Sequence, residues 1–419
     1  MKAVVRLLRR PATGALAGQA SQAVAGLALQ VAAARELGAA GLATFSLVYG
    51  AIVLATAVCS GLVGDSLTVL DRHDPGIRAG LHVGALLVSL AAALAGGLLS
   101  AVTDLVPPWA AVVLGLATAA FVVEDTLRRL LMATGRFWSL PLVDGTSLAL
   151  ALGCLAVLGA TGELTLTSFV VALLAGQAGA AAVAWALIPG PERPRGPWRR
   201  PALAEVAAFG AWRATAQTIR PAMLTLLRLL VIGMAGAAAY GPLEVARVYT
   251  APTLVLVAGM GSFLLPHFVS LRLRGPAAGL RVADRAAAGL TLGVLAIGLV
   301  AVVALPWLGP LLTGGDYAVP VAAVAGWSVY AAASATLLPY SSLASVHGRQ
   351  RRVLAHRSLE FASLAAVLLL LLLVDGGAAW APLALALGPA LTALAVRQRV
   401  LRHDDRSSDA RPVPVPVAR

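Results

Sequence analysis

Between residues 12 and 396 the chain carries twelve apolar runs, most of about 20 residues or more and poor in charge, separated by short polar connections. They fall near 12–34, 41–64, 79–103, 107–127, 141–160, 164–188, 206–236, 242–266, 286–308, 318–343, 355–374 and 378–396. A run of that length crosses the hydrocarbon core of a bilayer as an α-helix, which satisfies its backbone hydrogen bonds internally where no water is present. Composition agrees. The hydrophobic share is 59% and the charged share 12%; the latter is about half that of an ordinary globular protein. Too few polar side chains exist to cover a soluble surface, so the excess of apolar ones must face lipid. The first run follows Lys2, Arg6, Arg9 and Arg10 in the manner of a secretion signal. Its apolar stretch of about 22 residues exceeds the 7–15 of a signal core, so it reads as a retained helix.

The formal charge of +13 follows topology and gives no sign of a nucleic-acid partner. On alternate connections lie the N-terminal tail, Arg72 and Arg78, Arg128, Arg129 and Arg136, and Arg193, Arg195, Arg199 and Arg200. Arg272, Arg274, Arg281 and Arg285, then Arg349, Arg351, Arg352 and Arg357, then the arginines from Arg397 onward continue the series. Short Arg-rich connections stay cytoplasmic, so both termini are expected in the cytoplasm of a multi-pass protein of the cell membrane. The opposite connections are short, and most carry one acid, Asp104, Glu163, Asp316 or Asp375. None is long enough to fold a catalytic or binding domain outside the membrane.

A repeat divides the chain. Gly38-Ala39-Ala40-Gly41 recurs as Gly236-Ala237-Ala238-Ala239, each between one run and the next, and at the same offset Gln19 falls on Gln217, Gln22 on Arg220 and Gln30 on Arg228. Ala133-Thr134-Gly135-Arg136 recurs as Val346-His347-Gly348-Arg349. Two six-helix repeats are therefore expected, over 1–188 and 206–400, joined by a cytoplasmic linker at 189–205 and followed by a disordered tail at 401–419. At 100° per residue, Gln19, Gln22 and Gln30 lie within about 80° of arc, as do Arg213, Gln217, Arg220 and Arg228. Each helix thus has one polar stripe. An arginine near the bilayer centre costs about 2.5–3.5 kcal/mol on insertion scales, so such a stripe faces a watery cavity or a partner. Repeat transporters place their sites at the repeat interface, and these seven residues are the candidate substrate site. Arg220 leads, since Pro221 bends the helix beside it. Competing roles are snorkelling for Arg213, pairing with a neighbour for Arg228, and helix packing for the glutamines.

Other signals are weaker. Asp144 and Glu360, near the cytoplasmic ends of runs 5 and 11, are candidates for ion coupling, against a plainer role as helix-end anchors. Glu124 and Asp125 precede Arg128 and Arg129 at i,i+4 spacing, which reads as a salt-bridged helix end. Cys59 and Cys154 sit in apolar runs without neighbouring His or Cys, which argues against a disulfide or zinc site. Lys2 is the one lysine, so a Walker-type phosphate loop is excluded. No nucleophile elbow and no metal box are present, no cofactor is called for, and an enzyme is not expected.

Several segments resemble polysaccharide flippases of the multidrug/oligosaccharidyl-lipid/polysaccharide (MOP) superfamily. They are Ala34-Arg35-Glu36-Leu37-Gly38-Ala39-Ala40-Gly41-Leu42-Ala43-Thr44-Phe45, Leu131-Met132-Ala133-Thr134-Gly135-Arg136-Phe137, Thr313-Gly314-Gly315-Asp316-Tyr317 and Gly348-Arg349. The resemblance implies two pseudo-symmetric six-helix bundles around a central cavity, a MATE-like arrangement. It also implies that a polyprenyl-diphosphate-linked oligosaccharide moves from the inner to the outer leaflet by alternating access. Arg220, Arg213 and Arg228 would meet the diphosphate. Glycosyltransferases or a glycan polymerase are partners on the same ground. Related drug and cation exporters are expected to carry acids in the cavity, whereas runs 1 and 7 carry glutamines and arginines. The alternative is a secondary exporter of small molecules or drugs. A cytoplasm-specific reporter fused after residue 402 is expected to be active, and inactivity there would reverse the orientation.

Overall fold

In the computed structural model, which describes residues 11–103, 106–196, 198–271 and 276–402, twelve long helical segments follow one another and no strand occurs among the described residues. They are α1 (Pro11–Glu36), α2 (Gly38–Leu67, with a π-helical turn at Ser60–Gly64), α3 (Pro75–Val102), α4 (Pro108–Ala133), α5 (Leu140–Thr161), α6 (Leu166–Leu187), α7 (Leu203–Ala235), α8 (Ala237–Leu271), α9 (Pro276–Thr313), α10 (Val321–Val346), α11 (Gln350–Leu373) and α12 (Gly377–Arg402). All twelve expected runs are helices, and ten of the segments are long and apolar enough to cross a membrane. The tail from residue 403, the basic residues up to Arg10, Asp104, Arg272 and Arg274 lie outside the described residues.

Local chemistry sets the helix ends. Asp74 accepts a hydrogen bond from the Ile77 amide at 2.9 Å and Pro75 opens α3, while Thr165 and Ser168 form a capping box at the start of α6. Gly135 and Gly348 close α4 and α10 with φ of 75° and 72°. In each case the arginine that follows returns its amide to a carbonyl in the last turn, Leu131 or Ala344, at 2.9 Å. Gly38 and Gly236, the other repeated pair, are also left-handed, with φ of 64° and 88°. The sequence repeat is thus a repeat of backbone conformation, which glycine adopts without the strain of a Cβ.

Two compact units divide the chain, Met1–Glu244 with Pro310–Tyr317, and Val245–Gly309 with Ala318–Arg419. The sequence puts a linker at 189–205. The two units part inside α8, and α7 packs on α2 and α3 of the first unit. That crossing is close. A Cβ at Gly61 would strike the backbone of Ala214, and one at Gly210 would strike that of Leu62. The 189–205 segment docks on the α2–α3 connection. There Arg72 pairs with Glu192 at 3.1 Å, Arg78 donates to the Pro191 and Arg193 carbonyls, and Ala202 donates its amide to Gly76. Residues 310–317 join the first unit through Arg35, which donates to the Leu311 carbonyl, and Tyr317, which donates to that of Ala34 at 3.2 Å. Burial, with Asp316 alongside, pushes the Tyr317 phenol up to about 12, so it stays a donor at physiological pH.

Val63, Leu81, Leu131, Leu140, Ala180 and Val206 share the core of the first unit, and Phe268, Leu343, Val396 and Val400 that of the second. Leu94, Leu98 and Val102 on α3 and Leu299, Val300 and Trp307 on α9 are exposed, as lipid-facing side chains must be. In the second unit, Arg397 grips Asp284 with two hydrogen bonds of 2.7 and 2.8 Å, and Tyr340 donates to the same carboxylate at 2.8 Å. Gly210→Val is expected to force α7 off α2. Overpacking of this kind costs about 1–3 kcal/mol, read as a lower midpoint in thermal unfolding of the purified protein.

Candidate functional site

One end of α4 carries four charged residues in six positions, Glu124, Asp125, Arg128 and Arg129. The expected run stops at residue 127, but the helix continues to Ala133, which draws these charges into the packed interior. Glu124, Asp125 and Arg128 are buried. All four line a cavity of about 420 Å³ in the first unit, walled by α1, α2, α4, α5, α6 and α7. Its other polar lining includes Gln19 and Gln22 of α1, Ser60, Asp144 and Ser147, Gln177 of α6 and Gln217 of α7.

Two ion-pair systems organise this wall. In the first, Arg128 binds Asp144 of α5 through Nε and Nη2 at 3.1 and 3.3 Å and donates to the Gly18 carbonyl of α1 at 2.7 Å. Ser21 of α1 donates to the same carboxylate. Three helices therefore meet on one buried pair, whose side chains are 4% and 5% exposed. In the second, Ser60 donates to Asp125, and Arg129 joins Asp125 at 2.9 Å to Asp65 at 3.4 Å. Asp65 also accepts from Arg213 Nε at 2.6 Å and Gln217 Nε2 at 2.8 Å. Ser60 and Asp65 bracket a π-helical turn at Ser60–Gly64, beyond which the helix resumes at Asp65–Val69. The wider turn sets Asp65 where α4 and α7 both reach it, and such turns recur at functional sites.

The i,i+4 reading of the α4 charges is half correct. Asp125 pairs with Arg129, but Arg128 turns to Asp144, and Glu124 makes no ion pair among the described residues. Runs 1 and 7 carry glutamines and arginines, and the acids on this cavity wall, Glu124, Asp125 and Asp144, come from α4 and α5.

The other predicted residues divide. Gln19 and Gln22 of α1 and Gln217 of α7 come together on the cavity wall, while Gln30 is half-buried further along α1 and outside the lining. Arg228 is buried and pairs with Glu244 of α8 at 3.2 Å, and Tyr240 donates to the same carboxylate at 2.8 Å. Gly50 on α2 makes room for that guanidinium, which a Cβ there would strike. Arg220 is exposed, with no carboxylate partner among the described residues. Asp144 is held by Arg128 and Ser21. Glu360 lies in the second unit, buried beneath Gly388 and paired with Arg357 at 2.6 Å. Among the described residues, no three His, Cys, Asp or Glu side chains converge as a metal site.

No protein-family model matches the chain, and no curated protein matches it. Solved structures do. An inward-facing multidrug resistance MATE family transporter of the MOP superfamily superposes with a TM-score of 0.73 at 16% identity, covering 92% of this chain and 96% of that one. The chain has the fold of the MATE transporters. An outward-facing transporter of that description gives a TM-score of 0.64 at 15% identity, over 96% of this chain and 99% of that one. A eukaryotic MATE transporter gives 0.61 at 14%, over 93% of each chain. The expected all-helical MATE-like fold is therefore borne out, and the polysaccharide-flippase subtype is not distinguished by fold.

Removing one member of a buried pair strands the other. Asp144→Asn is expected to destabilise the protein by about 3–5 kcal/mol, and Arg128→Met with Asp144→Leu by less, as compared in thermal unfolding.

Proposed function

We propose that this protein is a secondary exporter of small molecules that works by alternating access. The observation that carries the reading is the cavity of the first unit, polar and acid-bearing within helices long enough to span a bilayer. Charge in such a position is costly and is characteristically kept for ion or substrate pathways. The fold likeness to multidrug resistance transporters supports export in preference to catalysis. Two of the three α7 arginines that an anionic substrate would need, Arg213 and Arg228, are already neutralised by Asp65 and Glu244.

A second reading retains the flipping of polyprenyl-diphosphate-linked oligosaccharide, with glycosyltransferases or a polymerase as partners. Arg220 favours it, as an exposed guanidinium within an apolar helix and beside Pro221. It is well suited to phosphate, to which arginine makes charge-assisted bonds. On either reading the protein acts in the cell membrane with both termini in the cytoplasm.

The deciding experiment uses purified protein in proteoliposomes with an imposed proton or sodium gradient and a panel of small organic substrates. Gradient-driven uptake of at least one substrate is expected. Its absence, together with accumulation of lipid-linked oligosaccharide in cells that lack the protein and in cells that carry Arg220→Ala, would replace the exporter by the flippase.

A further inference from the structure

In the second unit a single carboxylate gathers four arginines. Asp284 of α9 accepts two hydrogen bonds from Arg397 of α12 and one from Tyr340 of α10, so its oxygens are occupied. Arg281 lies one turn before it on α9 and Arg285 one residue after it, and Arg402, at the end of α12, is within electrostatic reach. Arg281, Arg285 and Arg402 are exposed, and none of the three forms an ion pair or hydrogen bond among the described residues. Four guanidiniums against one carboxylate leave a surplus of three positive charges.

Basic residues at a helix end set topology, and for that task their exact placement is immaterial. Here the placement is fixed. Ala283 and Ala287 of α9 pack with Val396, Val400 and Leu401 of α12 in the core of the unit, so the backbone on both sides of the cluster is held. The arginines also head a lipid-facing stripe. At 100° per residue, Arg281, Arg285, Ala288, Leu292 and Leu299 lie within about 60° of arc on α9, and all five are exposed. Beside the stripe, a Cβ at Gly289 or Gly293 would meet open space. Leu292 follows Arg285 by about 10 Å along the helix axis, so charge gives way to an apolar surface within one lipid's length.

We propose that Arg281, Arg285 and Arg402 bind the headgroup of a phospholipid that carries two phosphates, with its acyl chains laid along α9 over Ala288, Leu292 and Leu299. Charge selects this class. A zwitterionic headgroup brings its own cation, and a headgroup with one phosphate answers one charge of the surplus. Two phosphates in one molecule answer two charges for a single loss of molecular freedom. The planar fork of arginine matches phosphate oxygens, and basic pockets between membrane helices take such headgroups. Every residue of the site belongs to the second unit, and none lines the first unit's cavity. The site therefore stands whether the transported substrate is a small molecule or a lipid-linked oligosaccharide.

The test is native mass spectrometry of the purified, delipidated full-length protein, titrated with cardiolipin, phosphatidylglycerol or phosphatidylethanolamine. Cardiolipin is expected to bind about tenfold or more tighter than phosphatidylglycerol, and phosphatidylethanolamine weakest. Arg281→Gln with Arg285→Gln should lower cardiolipin affinity by about tenfold or more, and Arg402→Gln alone by less, with the lipid-free thermal midpoint unchanged. Arg195→Gln with Arg199→Gln takes the same charge from exposed positions of the first unit and should leave the affinity within about twofold of wild type. Equal binding of cardiolipin and phosphatidylglycerol would overturn the proposal, as would wild-type affinity in a folded protein lacking both Arg281 and Arg285. An equal loss on removing Arg195 and Arg199 would reduce the effect to net charge and overturn it too. Displacement of cardiolipin by inorganic pyrophosphate would replace the lipid by a soluble anion. If the double variant at 281 and 285 fails to fold, Arg402→Gln decides, and an undiminished affinity there sinks the site.

Discussion

The first unit is held by the requirement that charge inside a hydrocarbon environment find its counter-charge. Arg128 and Asp144 meet that requirement across α4 and α5, and they recruit α1 because the guanidinium has donors left for the Gly18 carbonyl. Arg228 and Glu244 do the same between α7 and α8, with space cleared by Gly50. An isolated charge here would cost several kcal/mol, so each pair fixes which helices are neighbours more strictly than apolar packing does. Leucine against leucine gains little in a lipid solvent, where the alternative contact is equally apolar.

The same requirement explains how the interior becomes a site. Arg129 lies between Asp125 and Asp65, and Asp65 collects Arg213 and Gln217, so that α2, α4 and α7 converge at one end of the cavity. The walls are therefore polar but largely self-satisfied. Glu124 stands out because the network closes without it.

Much of the architecture was legible in the sequence for a simple reason. The run near 79–103 reads as a helix because lipid leaves its backbone no other partner, and the structure gives Pro75–Val102. The repeat was legible at Gly38 and Gly236 and at Gly135 and Gly348, because left-handed backbone selects a residue type. The site was less so. Matched offsets bring Gln19, Gln22 and Gln217 to one cavity, but i,i+4 spacing reads the α4 charges as a salt-bridged helix end, because the apolar run stops at residue 127. Their pairing is a tertiary fact. Arg128 has acids at i−3 and i−4, yet it binds Asp144 from the next helix, and nothing in local spacing announces that choice. Likewise Asp65 is unremarked in sequence, because its partners Arg129, Arg213 and Gln217 are far along the chain.

The π-helical turn at Ser60–Gly64 divides α2 into two lengths, the second offset in angle from the first. A continuous helix transmits any rotation from end to end, so a residue chosen to face one neighbour dictates what every later residue faces. With an extra residue in one turn, the stretch through Tyr49 and Val53 is set by the cavity wall, while Asp65 is set by α4 and α7. The helix behaves as a shaft with a keyed joint. Changes to the cavity lining along its first part need not drag the electrostatic knot at its end out of alignment.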